Sequence, residues 1–167
     1  LKNNLNIDMD LSVPSGLTLS DFKTILSNNL SDKNKIFEQN AENFYKAEQK
    51  YKVNGIFLAS IGIHESAWGT SKIANDKNNL FGFTAYDSDP YNSATSFDNY
   101  ESAINKVAET LSTKYLRTSG TKISEDLVAI GTYFNGTTAK SVNVRYASDE
   151  GWADKVFTYM QYLYGKL

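Results

Sequence analysis

Apolar residues along the chain change period from block to block, and each change predicts an element. In residues 34–52, "NKIFEQNAENFYKAEQKYK", Ile36, Phe37, Ala41, Phe44 and Tyr45 recur at helical spacing and predict one long helix. Its other side carries Glu38, Glu42, Lys46 and Lys50 at intervals of four, the mark of a solvated, self-paired face. Glu42 and Glu48 read as surface charge. Residues 53–69, "VNGIFLASIGIHESAWG", are apolar nearly all round, which predicts a helix through the centre of the domain, capped by Asn54 and ended by Gly69. Upstream, a turn at Pro14–Gly16 leads into a first helix with Ser20 as its cap; downstream, "TSKIAND" predicts a short helix capped by Thr70 or Ser71.

The pattern then changes character. Residues 78–97, "NNLFGFTAYDSDPYNSATSF", place β-formers at Leu80–Ala85 and Ala94–Phe97 on either side of a turn-rich "DSDP", which predicts a short β-hairpin lobe. Helical spacing returns in "FDNYESAINKVAETLSTKYL", with Asp98 and Glu101 as a capping box. "SEDLVAIGTYF" predicts another helix and "NGTTAKSVNVRYASD" a loop. The last stretch, "EGWADKVFTYMQYLYGKL", is a helix with Trp152, Val156, Tyr159 and Leu163 on one face. There is no internal repeat, low-complexity tract or linker. The expectation is a mainly α (α+β) single domain over residues 1–167, with an N-terminal extension at 1–19 and the β lobe inserted after the central helix.

Length and composition narrow the function classes. With 167 residues, 41% of them hydrophobic, the chain suits one core. A net charge of −2 and a pI of about 5.4 leave no broad basic surface for a phosphate backbone, so nucleic acid is not an expected partner. No apolar run is long enough to span a bilayer, so membrane insertion is not expected. Cys is absent and His occurs once, which removes thiolate metal sites, a cysteine nucleophile and multi-histidine sites; neither metal nor cofactor is expected. Beginning at Leu1 without an initiator Met, the chain reads as a piece of a longer protein. Eleven Tyr within an aromatic content of 13% suit sugar rings, whose apolar faces are rimmed with hydroxyls.

One residue breaks the central helix's pattern. Glu65 follows Leu58 and Ile61 at helical spacing, so it is expected on a buried stripe, near the negative end of the helix dipole. Both influences disfavour a charged carboxylate and raise its pKa, which suits a general acid. A buried Glu bonded to a neighbouring turn is the plainer alternative on chemistry alone.

"HESAWGTSKIA", "NNLFGF" and "YASDEGWADKV", with the lead-in "NAENFYKAEQKYKVNGIFLASIGIHES", resemble the glucosaminidase family of bacterial peptidoglycan hydrolases, glycoside hydrolase family 73. The resemblance covers roughly residues 20–165. It implies a lysozyme-like fold with a substrate cleft beside a β lobe. It implies an endo-β-N-acetylglucosaminidase that cuts the β-1,4 bond after N-acetylglucosamine, with Glu65 as general acid. It further implies a secreted, cell-wall enzyme, a peptidoglycan glycan strand as partner and a monomeric state.

Glycosidases commonly pair two carboxylates. Several relatives are thought to draw the second, a Glu, from the β lobe, and this chain departs from that: the next Glu after Glu65 is Glu101. Asp87 is therefore the first candidate, with Asp89 and Asp98 behind it; the substrate's own 2-acetamido group is the alternative. Tyr146, opening "YASD", resembles a tyrosine the family places near the catalytic glutamate. Asn79 and Phe81 match the family motif at the root of the lobe. Trp68, Tyr86, Tyr91 and Tyr133 are platform candidates for the cleft, and His64 reads as a packed, hydrogen-bonded histidine. A non-hydrolytic glycan-binding module, or a muramidase or lytic transglycosylase cutting the other bond, are the competing readings.

Overall fold

In a computed structural model of the chain, which describes residues 4–85 and 87–167, nine α-helices are found among the described residues. They are α1 (Leu19–Ile25), α2 (Ile36–Gln39), α3 (Ala41–Tyr51), α4 (Gly55–Ser66), α5 (Lys72–Lys77), α6 (Pro90–Ser93), α7 (Tyr100–Thr110), α8 (Ala139–Tyr146) and α9 (Trp152–Tyr164). A π-helical turn, Leu111–Tyr115, continues α7. The strands β1 (Lys122–Ser124) and β2 (Leu127–Val128) pair antiparallel.

The central helix forms where its sequence placed it. Asn54 caps α4, its Oδ1 accepting from the backbone N–H groups of Ile56 and Phe57 at 2.9 Å each. Of the 12 residues of α4, ten are buried; only His64 and Glu65, in its last turn, come out of the core. Helix α9 runs antiparallel to α4. At one end Tyr164 Oη accepts from Asn54 Nδ2 at 3.1 Å, and at the other Trp152 meets Glu65. Helices α3 and α7 pack against the same core.

Glu48 overturns its surface reading. It is fully buried in α3, where its carboxyl accepts from Gly55 N at 2.6 Å and Ser15 Oγ at 2.8 Å, tying the start of α4 to the N-terminal segment. Other expectations are corrected as well. Thr18, not Ser20, caps α1, in a reciprocal box with Asp21. The long helix of residues 34–52 is broken at Asn40, whose Nδ2 turns back to the Ile36 carbonyl at 2.8 Å. Helix α4 ends at Ser66, and Ala67, Trp68 and Gly69 follow in left-handed conformation. The cap of α7 is Asn99, which accepts from Ser102 N at 2.7 Å, rather than an Asp98–Glu101 box.

The β-hairpin lies elsewhere than expected. Among the described residues of 78–97 there is no strand; the segment is built of turns and the short helix α6. Positive φ at Gly82 (58°) and Thr84 (60°) breaks the extended run, and one link, Phe83 O to Thr95 N at 3.0 Å, stands where a ladder was expected. The strands come instead from "TKISEDLVAI", whose β-branched residues outweigh a helical reading of 124–134. Residues 139–146, expected as loop, form α8, because Thr138 caps them by accepting from Ser141 N.

Candidate active site

Glu65 sits where α4 emerges from the core. The residue as a whole is exposed, which corrects the expectation that it lies on a buried stripe. An all-round apolar helix has no single buried stripe, so spacing from Leu58 and Ile61 did not fix the fate of its last turn. The carboxyl end is nevertheless short of water. Its Oε1 accepts from Trp152 Nε1 at 2.9 Å. Its Oε2 faces Gly82, where an added Cβ would lie 3.7 Å away. Burial raises the pKa above the ordinary 4.5, while the Trp152 N–H and the charge of His64 pull it back. Exposure of the residue as a whole is compatible with dehydration of its carboxyl, because Oε1 is bonded to the buried Trp152 indole and Oε2 faces the Gly82 turn.

Trp152 is the site residue that sequence reasoning missed, having assigned it to the packed face of the last helix. It is 1% exposed, so its indole is a fixed donor. The turn before α9 holds it. Asp149 O accepts from Trp152 N at 3.1 Å and from Asn143 Nδ2 at 2.9 Å, while Asn143 Oδ1 accepts from Ala153 N at 3.1 Å. Asp149 Oδ1 accepts from Gly151 N at 2.9 Å, and its other oxygen from Lys155 Nζ. The signal available in sequence was the "YASDEGW" run itself, which contains both Tyr146 and Trp152.

Tyr146 closes α8 and packs on the Trp152 ring at 5.0 Å between centroids. Burial lifts its hydroxyl pKa strongly, the negative charge of Glu65 adds to this, and Tyr115 contributes a smaller push, so Tyr146 stays a neutral phenol beside Glu65. Tyr115 lies 5.4 Å from Tyr146, and Tyr133 lies 5.0 Å from Tyr115. Tyr133 reaches this row because Ile130 N and Gly131 N donate to Thr113 O and Tyr133 N to Lys114 O, strapping residues 130–133 onto the π-helical turn. Gly131 is needed there: φ is 74° and a Cβ would meet Ser119 N at 2.5 Å. Tyr146 and Tyr133 thus join one aromatic wall leading from Glu65.

The remaining candidates fall elsewhere. Asn79 is 1% exposed and its amide is fully used within its own loop. Its Oδ1 accepts from Phe81 N and Phe83 N, and its Nδ2 donates to Phe83 O and Thr95 O, all at 3.0–3.1 Å. It shapes the Gly82 turn rather than facing a sugar. Phe81 is 3% exposed and belongs to the core, not to the cleft surface. Trp68 is half-buried against Phe37, Tyr159 and Tyr162. Asp87 is exposed on a turn, outside the hydrogen-bonded set around Glu65. Asp89 accepts from Asn92 Nδ2 at 3.1 Å. Tyr91 is pinned by Asp76 and by the ammonium groups of Lys72 and Lys77. His64 packs its ring against Tyr159 at 6.3 Å. Tyr86 lies outside the described residues. Among the described residues no three His, Asp or Glu side chains are placed to hold a metal, and no helix is long and apolar enough to cross a membrane.

A dehydrated carboxyl at the end of a buried helix, beside a row of packed tyrosines, suits a glycoside hydrolase. The comparisons with known proteins agree. The glucosaminidase family model, described as mannosyl-glycoprotein endo-beta-N-acetylglucosaminidase, matches residues 41–165, and the chain belongs to this family. It is 38% identical over 138 residues to a Streptococcus pneumoniae (serotype 4) protein whose provisional name is endo-beta-N-acetylglucosaminidase, covering 83% of this chain and 19% of that one. The chain therefore spans about a fifth of the length of such relatives. In fold it resembles S. aureus Autolysin E (TM-score 0.65, 22% identity, 99% of this chain and 73% of that one). A catalytic mutant of that autolysin in complex with the disaccharide NAG-NAM gives 0.64, at 23% identity over 98% and 75% of the two chains. S. aureus glucosaminidase B gives 0.63, at 20% identity over 99% and 67%. These likenesses establish a lysozyme-like fold.

Proposed function

We propose that the chain is the catalytic domain of a peptidoglycan hydrolase acting in the bacterial cell wall, outside the membrane. It cleaves the β-1,4 bond that follows N-acetylglucosamine in the glycan strand. The observation that carries this is the hydrogen bond from Trp152 Nε1 to Glu65 Oε1, on a carboxyl whose pKa burial has raised. In its neutral form Glu65 donates a proton to the glycosidic oxygen as the bond from C1 to that oxygen breaks, the electron pair leaving with oxygen. The carboxylate that develops is met by an indole N–H already in place, an interaction stronger for the anion than for the acid. Tyr146, held neutral beside Glu65, orients the 2-acetamido group or a water. That acetamido group itself stabilises the positive charge at C1 until water adds. The aromatic row ending at Tyr133 supplies a platform for the strand.

Glu65→Gln keeps an acceptor for Trp152 and removes the proton donor. Digestion of purified peptidoglycan by this variant should release no reducing N-acetylglucosamine ends, while its circular dichroism stays that of the parent. Normal release by the folded variant overturns the assignment of Glu65. Mass spectra of the parent's digest fix the bond: reducing N-acetylmuramic ends would make the enzyme a muramidase, and anhydro ends a transglycosylase.

A further inference from the structure

The dipeptide Asn-Gly occurs twice in the chain, at 54–55 and at 135–136, and the fold treats the two copies in opposite ways. An asparagine followed by glycine is chemically labile, because a residue without a Cβ leaves its amide nitrogen room to approach the preceding side chain. The first copy is locked. Asn54 is 1% exposed, its Oδ1 accepts from Ile56 N and Phe57 N at 2.9 Å each, and its Nδ2 donates to Tyr164 Oη at 3.1 Å. Gly55 N, the nitrogen that would attack, donates to Glu48 Oε2 at 2.6 Å. Side chain and nucleophile are both committed to capping α4 and cannot meet without opening the core.

The second copy is free. Asn135 is exposed, on the connection from the strap at 130–133 to the Thr138 cap of α8. Among the described residues neither its side-chain amide nor Gly136 N has a hydrogen-bond partner. Glycine is obligatory at 136: φ is 123° and an added Cβ would lie 2.5 Å from Ser141 Oγ. The fold thus dictates the small residue on which the reactivity of Asn135 depends. Anchors stand on either side. Tyr133 N donates to Lys114 O at 2.8 Å, Leu11 N to Thr137 O at 2.9 Å, and Ser141 N to Thr138 Oγ1 at 3.1 Å. Asn135 and Gly136 are the unbonded centre of a short, otherwise fastened loop.

We propose that Asn135–Gly136 is a site of self-modification, at which the folded protein slowly converts Asn135 to aspartate and isoaspartate. Gly136 N, on losing its proton to hydroxide, attacks Asn135 Cγ. The N–Cγ bond forms, the Cγ–Nδ2 bond breaks, and ammonia leaves with a proton taken from water. Water then opens the cyclic imide. Cleavage at Cγ leaves aspartate at 135; cleavage at the main-chain carbonyl leaves isoaspartate, whose backbone runs through Cγ and is longer by a methylene. Nothing is oxidised or reduced. Either product puts a negative charge just beyond Tyr133. The added methylene falls between the strap and the cap of α8, beside the Thr137 carbonyl that holds Leu11.

The test is incubation of the chain in warm, mildly alkaline heavy-oxygen water, then peptide mapping with fragmentation that separates aspartate from isoaspartate. In the folded protein Asn135 should convert at least about tenfold faster than Asn54, each product carrying one heavy oxygen; in urea the two sites should convert at similar rates, since both then lack the protection of the fold. Equal rates in the folded protein, a faster Asn54, or a preference for Asn135 that persists undiminished in urea overturns the proposal. Freshly prepared Asn135→Asp adds the charge alone and should melt with the parent. The aged parent should melt lower, and aged Asn135→Gln should melt as it did when fresh. An aged parent that carries isoaspartate at 135 and still melts with fresh protein overturns the effect assigned to the added methylene.

Discussion

Trp152→Phe isolates the hydrogen bond on which Glu65 depends. Phenylalanine keeps a ring against Phe57, which meets Trp152 edge-on at 6.1 Å, and against Tyr146, while deleting the only group on that ring able to donate to Glu65 Oε1. A hydrogen bond to a charged partner contributes about 1.5–3 kcal/mol. Glu65 as a residue is exposed, so the lower end applies, and kcat should fall about tenfold. The pH dependence has a definite sign. The indole N–H is one of the influences lowering the Glu65 pKa, so its loss raises that pKa further. Activity requires the protonated acid and fades as pH rises through the pKa; the alkaline limb of the kcat profile should therefore move to higher pH in the variant. Initial rates across a pH series, with Tm as a control for the smaller buried ring, provide the assay. A limb that stays fixed or moves to lower pH, in a variant that still melts cooperatively, would refute the role given to Trp152.

Other perturbations have equally definite outcomes. Asn79→Ala leaves the buried Phe81 N–H, the half-buried Phe83 N–H and the Thr95 carbonyl without this partner, while Phe83 O keeps Thr95 N; it should cost about 3 kcal/mol, a fall in Tm of roughly 6–12 °C by calorimetry. Gly82→Ala forces an L side chain to hold φ at 58° and brings a methyl within 3.7 Å of Glu65 Oε2; we expect a loss of about 1–2 kcal/mol in stability and an alkaline limb moved upward by the added dehydration. Burial is the leading cause of the raised pKa at Glu48, so its stabilising contribution is complete below 4.5, the ordinary value, and is lost as pH rises through the higher folded value. Glu48→Gln carries no such charge penalty, so the stability advantage of the parent should be larger in acid than at neutral pH in urea titrations.

The central helix and the position of Glu65 at its end were legible in sequence, and the reasons are local. Asn54 is a strong cap, the run from Gly55 to Ile63 is uninterrupted, and the motif around Glu65 is compact. What the apolar run hid was its own exit from the core. With nearly every position apolar, no face is marked as the buried one, so the emergence of His64 and Glu65 follows from where α4 stops and not from any period. The misplaced hairpin has the opposite cause. Residues 80–85 carry β-forming side chains, yet the buried amide of Asn79 ties up the backbone groups a partner strand would have needed. A polar side chain taking the place of a ladder leaves a sequence that still looks like a strand.

The site itself is assembled from such irregular points. Glu65 stands at a helix end, Gly82 on a left-handed turn, Tyr115 in a π-helical turn, and Tyr133 on a strap folded over that turn. Trp152 is placed by the amide of Asn143 and the carbonyl of Asp149, and the donor and acceptor it brings together are 87 residues apart. Hydrophobic period reports burial, and burial alone put Trp152 in the core, where it does lie. Only the bond from its ring nitrogen distinguishes a packing residue from one that sets the acidity of Glu65. That bond depends on the turn at Asp149–Gly151, so substitutions in this turn should act on the pH profile of the enzyme before they act on its fold.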